Sequence, residues 1–476
     1  MTKRDEFFWL AEINKATIVI NESEGLLPKD VAVKAARATR AVIEDAKDPS
    51  YARPSAYIKF EPKLLEKEGP EITIMHAGRS SQDMHATYRS AIIRDNVLEI
   101  ASALHEAIAE MTAIAERHTE TVVPNYTNGV AAQPNSYAHY LLAFIAGFRR
   151  DTERLHEFYK RLNLCPMGST VLNGTSWPLN RVRMAEFLGF EAPAENAYDA
   201  TQIAQADLPV EFASILSSIA LHVCAFLQDL MQQYSQSRPW IILQEGGENT
   251  YVSSAMPQKR NPGLVNNCRT EASELIGEAQ GALFRAHNLQ SGMIDPKKQD
   301  LNGAIARRCL STVRMFTRVL KALVINPARA LEELNSDWTA SQEVADVLMR
   351  KYNLPFRVGH HVASRVVGYA RANNILPLAF PYAEIQRIYA EVITEEFPEG
   401  NPVLPMSEEE FRKTLDPKAI VQHRATLGGP QPSELARMLQ EAKEQNEANG
   451  NWVQNSKRAI DEALEKLDTD FSQIGE

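Results

Sequence analysis

The chain places several reactive side chains between residues 251 and 261, which read Tyr-Val-Ser-Ser-Ala-Met-Pro-Gln-Lys-Arg-Asn. Removing a proton beside a carboxylate requires a base, together with fixed donors or cations that stabilise the carbanion. Ser253 or Ser254 can act as the base if a cation and backbone N–H groups stabilise its alkoxide. Lys259 and Asn261 can hold the carboxylate. The same composition also suits a polar surface loop without chemistry.

A second polar cluster lies at residues 76–83, immediately before a long helical pattern. Gly78 permits a tight backbone turn, and Arg79, Ser80, Ser81 and Gln82 bring hydrogen-bond donors to the start of the helix, where anions are favoured. The alternative is an ordinary helix cap with a solvated arginine.

Two further connections, at residues 124–134 and 168–176, place hydroxyl and amide side chains before the next helix. Taken singly, each is typical of helix capping. No segment has a strand, a glycine-rich loop and a helix in succession, so phosphate or dinucleotide binding has no support in the sequence.

Apolar residues recur three and four positions apart through most of the chain, which predicts amphipathic helices. The predicted helices cover residues 32–46, 87–114, 137–158, 212–234, 264–286 and 304–324. Long helices joined by polar connections predict a bundle that keeps apolar surface for association between subunits. Short helices and prolines beyond residue 346 indicate a smaller C-terminal unit. We therefore predict an all-α chain with domains at 1–110, 111–345 and 346–476.

Net charge, cysteine content and hydropathy indicate the kind of partner and the cellular compartment of the protein. A net charge of −10 over 476 residues argues against nucleic acid as a partner. The four cysteines form no CxxC pair and suit buried reduced thiols in a cytoplasm. The N-terminus shows no secretory signal, and the apolar run at residues 213–227 is too short and too polar to span a bilayer. A soluble cytoplasmic protein is predicted.

The clusters at residues 78–83, 127–134 and 251–261 together resemble a known group of enzymes. The string Ser-Ser-x-Met-Pro-x-Lys-x-Asn-Pro is similar to the signature of the fumarase/aspartase superfamily, and the argininosuccinate lyase family shows the strongest resemblance. Gly-Arg-Ser-Ser-Gln-Asp at 78–83 resembles its Gly-Arg-Ser-Arg-Asn-Asp. Tyr-Thr at 126–127 with Ala-Gln-Pro at 132–134, and landmarks at 345–346, 355–357 and 427–429, extend the resemblance over most of the chain.

This resemblance implies a fold and a reaction. The fold is a homotetramer of three-domain subunits with a central bundle of twenty long helices, each active site being built from three subunits. The reaction is anti elimination of an amine from a succinyl carbon, which gives fumarate through a carbanion. The substrate is a di- or polycarboxylate, and no cofactor or metal is implied. The implied site residues are Ser253 as base, Lys259, Asn261, Thr127 and Asn128 in catalysis, and Arg79, Ser80, Ser81, Gln82, Gln133, Ser254 and Met256 in substrate binding.

The chain also departs from the family pattern. Val252 replaces a glycine, and Ser81 and Gln82 replace an arginine and an asparagine that bind carboxylate. Asn128 replaces a histidine, and a carboxamide cannot transfer a proton near neutral pH.

The departures extend to the leaving-group side. His76, His85 and His287 are candidate replacements for the missing acid. The segment at 293–300, with Lys297 and Lys298, differs from the segment with which the family binds arginine.

Three alternatives stay open: an aminopolycarboxylate lyase like ethylenediamine-disuccinate lyase, a catalytically silent crystallin-like scaffold, and an enzyme that catalyses C–O elimination or cycloisomerisation. The amine, the stereochemistry and the physiological direction are left open as well.

Overall fold

The structure, a computed structural model, describes residues 4–293 and 301–475. Its described residues are mainly helical, and the prediction of an all-α chain is confirmed. The helices are α1 (Glu6–Ser23), α2 (Lys29–Asp45), α3 (Tyr57–Glu68), α4 (Ser81–Arg117), α5 (Tyr137–Leu162), α6 (Arg181–Phe187), α7 (Ala204–Tyr234), α8 (Gly263–Ala286), α9 (Leu301–Lys321), α10 (Pro327–Ser336), α11 (Ser341–Tyr352), α12 (Phe356–Ala372), α13 (Tyr382–Glu396), α14 (Glu408–Leu415), α15 (Pro417–Gln422) and α16 (Pro432–Ser472).

Short strands pair two by two in the loops between helices. The strands are β1 (Val122–Thr127), β2 (Val130–Ser136), β3 (Leu164–Cys165), β4 (Ala192–Pro193), β5 (Ile241–Leu243), β6 (Tyr251–Val252), β7 (Arg260–Asn261) and β8 (Leu323–Ile325). β1–β2, β5–β8 and β6–β7 are antiparallel, and β3–β4 is parallel. Segments of 3-10 helix occur at Pro70–His76 and Pro377–Ala379, and a π-helical turn at Asp199–Ile203 leads into α7.

Five long helices, α4, α5, α7, α8 and α9, pack side by side as the central bundle. Each of them coincides with a helix predicted from apolar spacing. Helix α4 is the longest of the five, with 37 residues, and spans about 55 Å at 1.5 Å per residue. Its buried positions lie on several faces because α1, α5, α9 and α16 all pack against it. The length of α4 therefore sets the distance between the two ends of the bundle.

One end of the bundle, here called the hairpin end, gathers the loops at 118–136 and 235–262. The β1–β2 hairpin links α4 to α5, and Gln232 in the last turn of α7 donates to the Gly129 carbonyl at 3.3 Å. The backbone N–H of Gln244 donates to the carbonyl of Ala322, just after α9, at 2.7 Å. The C-termini of α4, α7 and α9 therefore lie together at this end.

The opposite end, here called the cap end, gathers the loops at 76–83 and 163–203. Gln205 at the start of α7 contacts Ser90 near the start of α4, with Nε2 and Oγ 3.4 Å apart. Arg285 at the end of α8 donates to Asn302 at the start of α9 at 2.6 Å. The N-termini of α4, α7 and α9 therefore lie together at the cap end.

The hydrophobic cores do not follow the predicted domain limits. Residues 338–415 form a separate core of their own. Helix α16 was predicted within the C-terminal unit, but it packs on α1, α4, α5 and α6 and joins the main core. Helix α4 also crosses the limit at residue 110 without interruption. The division into three domains stays a prediction, and long helices such as α4 and α16 connect its units.

The outer face of the bundle carries apolar side chains. Leu221 on α7 and Leu283 and Phe284 on α8 are 58%, 52% and 71% exposed. Within the described residues one helical run, Asp199–Tyr234, has an 18-residue window of mean hydropathy 1.8, apolar enough to cross a membrane, and half of that window is buried. Packing of α7 against α5, α8 and α9 explains this apolar composition. The exposed residues are available for the predicted association between subunits.

Candidate active site

Only some of the predicted substrate-binding side chains in the cap-end loop at residues 78–83 are exposed to solvent. Ser81 is exposed and Ser80 is half-buried. Arg79 and Gln82 are each 6% exposed. A direct contact of Arg79 or Gln82 with substrate stays a prediction, and their burial within the chain does not favour it. Ser81 is the side chain of this loop that is best placed to meet a ligand.

Arg79 has partners inside the chain. Its Nη2 donates to Asn14 Oδ1 at 2.9 Å, and its guanidinium lies over the Tyr57 ring, 5.1 Å from the centroid. The planar guanidinium can stack on an aromatic face while its edge donates hydrogen bonds. Arg79 therefore anchors the loop to α1 and α3.

Asp83 joins this loop to a second cap-end loop. Its carboxylate accepts the backbone N–H groups of Ser80 at 2.9 Å, Gly168 at 3.1 Å and Thr170 at 3.2 Å. Thr170 in turn donates through Oγ1 to the Gly78 carbonyl at 2.7 Å. Burial raises the pKa of the Asp83 carboxyl, although these three N–H groups act in the opposite direction. Ser80 and Asp83 form the capping box that starts α4.

Gly78 is required where the two loops touch. Its φ is +63°, and a Cβ at this position would lie 2.7 Å from Leu179 Cδ1 and 2.9 Å from Thr175 Cγ2. Larger residues would therefore separate the loops.

The hairpin-end loop at 122–136 is a β-hairpin instead of the polar connection that was predicted. Thr127 pairs with Val130, so Asn128 and Gly129 form a two-residue turn with φ of 53° and 78°. Positive φ at both positions defines a type I′ turn, for which Asn-Gly is the preferred pair. Asn128 thus has a conformational role in this turn. Thr127 is exposed, and Gln133 donates to Gln342 Oε1 on α11 at 2.8 Å.

Tyr126 anchors this hairpin. Its hydroxyl donates to Glu333 on α10 and accepts from Gln233 Nε2 at 3.0 Å and Trp240 Nε1 at 3.3 Å. Burial, together with the bond to Glu333, raises the pKa of Tyr126 to about 12. The phenol therefore stays neutral and keeps Thr127, the next residue, in position.

The loop that carries Ser253 is a small hairpin at the same end of the bundle. Ser253 Oγ accepts the backbone N–H groups of Ala255 at 3.4 Å and Met256 at 3.3 Å. The Ser253 N–H donates to the Lys259 carbonyl at 3.2 Å. Two N–H groups directed at one hydroxyl oxygen favour negative charge on it. A serine base requires donors of this kind, and the role of Ser253 as the base stays a prediction.

The other predicted residues of this loop differ in exposure. Ser254, Met256 and Lys259 are exposed. Within residues 4–293 and 301–475 the Lys259 ammonium has no hydrogen bond or ion pair. Asn261 Nδ2 donates to the Tyr251 carbonyl at 3.3 Å and closes the β6–β7 pair. Lys259 is therefore available for an anion, whereas the Asn261 amide is already engaged.

One chain does not bring its three clusters together. Ser81 begins α4, while Thr127 and Ser253 lie at the hairpin end, about 55 Å away along the helix. A site that uses all three side chains must therefore take the cap-end loop from one subunit and the hairpin-end loops from another. Helix length is the physical reason.

The candidate histidines lie away from Ser253 in the chain. His76 Nδ1 is 3.3 Å from the Tyr57 hydroxyl, and burial, with the charge of Arg79, lowers the pKa of His76. His85 Nε2 accepts the Tyr57 backbone N–H at 3.2 Å. His287 ends α8 at the cap end. The segment 294–300, which includes Lys297 and Lys298, lies outside the described residues.

Sequence reasoning missed several residues with clear roles at these loops. Asp83 was recognisable because an acid three positions after Ser80 is a capping-box pattern. The Asn-Gly pair at 128–129 is likewise a hairpin signal. No local pattern indicated Glu333, which lies 207 positions after Tyr126.

Comparisons with known proteins identify relatives over most of the chain. Residues 55–277 match the family described as Lyase, and residues 338–422 match Argininosuccinate lyase C-terminal. The argininosuccinate lyase of Methanosarcina acetivorans is 30% identical over 422 residues, or 86% of this chain and 81% of that protein. That of Methanocaldococcus jannaschii is 28% identical over 462 residues, or 95% and 90%. A solved variant of EDDS lyase with bound fumarate superposes with a TM-score of 0.89 at 23% identity, covering 99% of this chain and 92% of that one.

Proposed function

Because the chain belongs to the fumarase/aspartase superfamily, in its argininosuccinate lyase-like branch, we propose that it acts by anti elimination on an N-succinyl amine or amino acid. The broader activity follows from membership: the protein is a carbon–nitrogen lyase that releases fumarate. The proposal concerns the mechanism, the site residues and the class of amine.

Ser253 is the proposed base. The observation that carries this assignment is the pair of backbone N–H groups, from Ala255 and Met256, that its Oγ accepts. As an alkoxide stabilised by these groups, Ser253 removes a proton from the succinyl carbon beside the carboxylate. The electron pair moves onto the carboxylate oxygens, where the exposed ammonium of Lys259 stabilises the charge. Collapse of the carbanion breaks the C–N bond, and fumarate and the amine leave.

The remaining contacts come from other loops. Thr127 and Ser81, with Ser80 behind it, are the proposed contacts to the succinyl carboxylates, and Gln133, Ser254 and Met256 complete the binding surface. The separation of Ser81 from Ser253 along α4 supports a shared site. We accordingly propose a homotetramer in the cytoplasm, with the exposed apolar residues of α7 and α8 covered by neighbouring subunits.

Asn128 cannot supply the proton that the departing amine takes up. A carboxamide can hydrogen-bond to the departing nitrogen but cannot give it a proton. Amines that leave as weak bases, or that receive a proton from solvent, suit this site better than a leaving group that needs a dedicated acid.

The second candidate is an aminopolycarboxylate lyase. The high structural similarity to EDDS lyase supports a common fold and leaves the amine open. Both candidates release fumarate, so the identity of the amine separates them. A silent scaffold would release nothing.

The decisive experiment runs the reaction in reverse. The protein is incubated with fumarate and a pool of amines that includes arginine, ammonia and diamines, and mass spectrometry detects succinyl adducts. An adduct that is absent with Ser253→Ala and present with Ser364→Ala supports the proposal and identifies the amine. Ser364 is an exposed serine on α12, in the separate core. No adduct with any amine, together with no cleavage of argininosuccinate, would contradict it.

A further inference from the structure

A cavity of about 610 Å³ lies beside the β1–β2 hairpin and includes Thr127 in its wall. Its aromatic side is formed by Tyr137, Tyr140 and Trp240. The two tyrosine rings stack with centroids 5.8 Å apart, and Trp240 meets Tyr137 edge-on at 5.7 Å. Aromatic faces of this kind bind cations and the alkyl chains that carry them.

Two buried oxygens in this wall have no hydrogen-bond partner among the described residues. They are the hydroxyl of Tyr137, which is 1% exposed, and Oε1 of Gln233, which is 3% exposed. The Gln233 amide has a fixed orientation, because Tyr126 gives its only proton to Glu333 and so needs Gln233 Nε2 as a donor. Gln233 Oε1 therefore favours a ligand that brings an N–H donor, since a buried acceptor without a donor is costly. The Tyr137 hydroxyl, which can donate or accept, can hydrogen-bond to the same ligand.

The charge in the cavity wall also favours a cationic ligand. Asp229 is the one charged residue in its wall among the described residues, and no lysine or arginine accompanies it there. The Tyr140 hydroxyl donates to Asp229 Oδ2 at 2.7 Å, which holds the carboxylate beside the aromatic faces and leaves Oδ1 for a ligand. Within the described residues that line this cavity, a carboxylate on the ligand would meet Asp229 without a compensating cation, and the interaction would be repulsive.

We propose that this cavity binds the amine portion of the substrate, and that this amine is a cationic di- or guanidino amine with no carboxylate of its own. The inference rests on the proposed function, because Thr127 connects the cavity to the succinyl contacts. One end of the amine reacts near Thr127, and the cationic end lies between Asp229 and the aromatic rings.

Matched pairs of amines test the absence of a carboxylate. Agmatine is compared with arginine, and 1,5-diaminopentane with lysine, by calorimetric titration into the wild-type protein and into Asp229→Asn. We expect each decarboxylated amine to bind at least tenfold more tightly than its amino acid. Asp229→Asn is expected to weaken the binding of each decarboxylated amine about tenfold, because one charge-assisted hydrogen bond is lost. Tyr137→Phe is expected to weaken binding as well, with far-UV circular dichroism checking the fold.

Glu211→Gln is the control. It removes the same charge from the other half of α7, where Glu211 pairs with Arg161. It is expected to leave amine binding unchanged. Comparison of the two variants therefore distinguishes a direct contact with Asp229 from an effect of the protein's overall negative charge. Equal affinity for agmatine and arginine, or equal effects of Asp229→Asn and Glu211→Gln, would overturn the inference.

Direct binding and turnover separate this inference from the proposed function. In the reverse reaction, Asp229→Asn should raise KM for the amine while KM for fumarate stays constant. If an amino acid is added to fumarate at a rate that does not depend on Asp229, the lyase proposal stands and the cavity assignment fails. If agmatine binds through Asp229 but no amine is added to fumarate, the cavity is a cation site and the proposed chemistry fails.

Discussion

The hydroxyl of Tyr126 donates a hydrogen bond to the carboxylate of Glu333, which lies 207 positions later in the chain. This bond attaches the β1–β2 hairpin to α10, and two further donors, from Gln233 and Trp240, converge on the same oxygen. The residue that follows Tyr126 is Thr127, so the geometry of a predicted substrate contact depends on a distant acid.

Tyr126→Phe should lower both stability and turnover. It leaves the Gln233 and Trp240 donors without their acceptor, at a cost of about 1–3 kcal/mol, while the Glu333 carboxylate keeps Arg329 Nη2 at 3.4 Å. Glu333→Gln keeps an acceptor for the phenol and should be milder. Thermal unfolding and kcat for both variants test this, and equal loss in the two would contradict it.

The same network predicts a dependence on alkaline pH. The pKa of Tyr126 rises to about 12 in the folded protein from the usual value of 10. Its contribution to stability is therefore complete below pH 10 and is lost as pH rises through 12. The stability difference between wild type and Tyr126→Phe should shrink over that range.

Ser253→Ala should abolish turnover, by a factor of about a thousand or more, because no other group replaces the base. Helical content and oligomeric state should be unchanged, since the Ser253 side chain bonds only within its own hairpin among the described residues. Steady-state kinetics and circular dichroism test this. Normal turnover would remove Ser253 from the mechanism.

Asn128→His should not simply raise activity on the natural substrate. The position has φ of 53°, and histidine tolerates it less well than asparagine, so a loss of about 1 kcal/mol is expected. Asn128→Gly, which fits the turn, should be neutral in stability. A large gain in turnover from the histidine would show that Asn128 is only a defect.

Two inactive variants should restore activity when they are mixed. Ser81→Asp introduces a repelling carboxylate at the cap end, and Ser253→Ala removes the base at the hairpin end. If a site takes these loops from different chains, random mixing gives about a quarter of the sites with both native residues. Unfolding and refolding the variants together, against each alone, measures the recovery. No recovery would contradict a site that takes these two loops from different chains.

Glu12 should make stability fall as pH rises from acid to neutral. Burial raises the pKa of its carboxyl to about 7 from 4.5, despite Lys15 at 2.7 Å. Its contribution is complete below pH 4.5 and is lost as pH rises through 7, at most about 3 kcal/mol. Glu12→Gln should flatten this dependence in urea unfolding at pH 5 and pH 8. Glu44→Gln, at an exposed position, is the control and should leave the pH dependence of stability unchanged.

The bundle could be predicted from the sequence because each long helix has apolar residues at helical spacing over more than five turns. The position of α16 could not, because its amphipathic pattern fits packing on any neighbour. Ser253 could be singled out as a candidate base from its surrounding residues, but the N–H groups of Ala255 and Met256 that it accepts depend on a turn. The burial of Arg79 was not apparent either, since Asn14 and Tyr57 reach it from remote parts of the chain.

The length of α4 has a kinetic consequence. If the loops at its two ends serve different sites, specific activity depends on protein concentration, because dilution separates the halves of every site at once. Inactivation on dilution should then follow subunit dissociation and precede any loss of helix. Substrate, by bridging the loops of two chains, should slow that dissociation and protect the enzyme at low concentration.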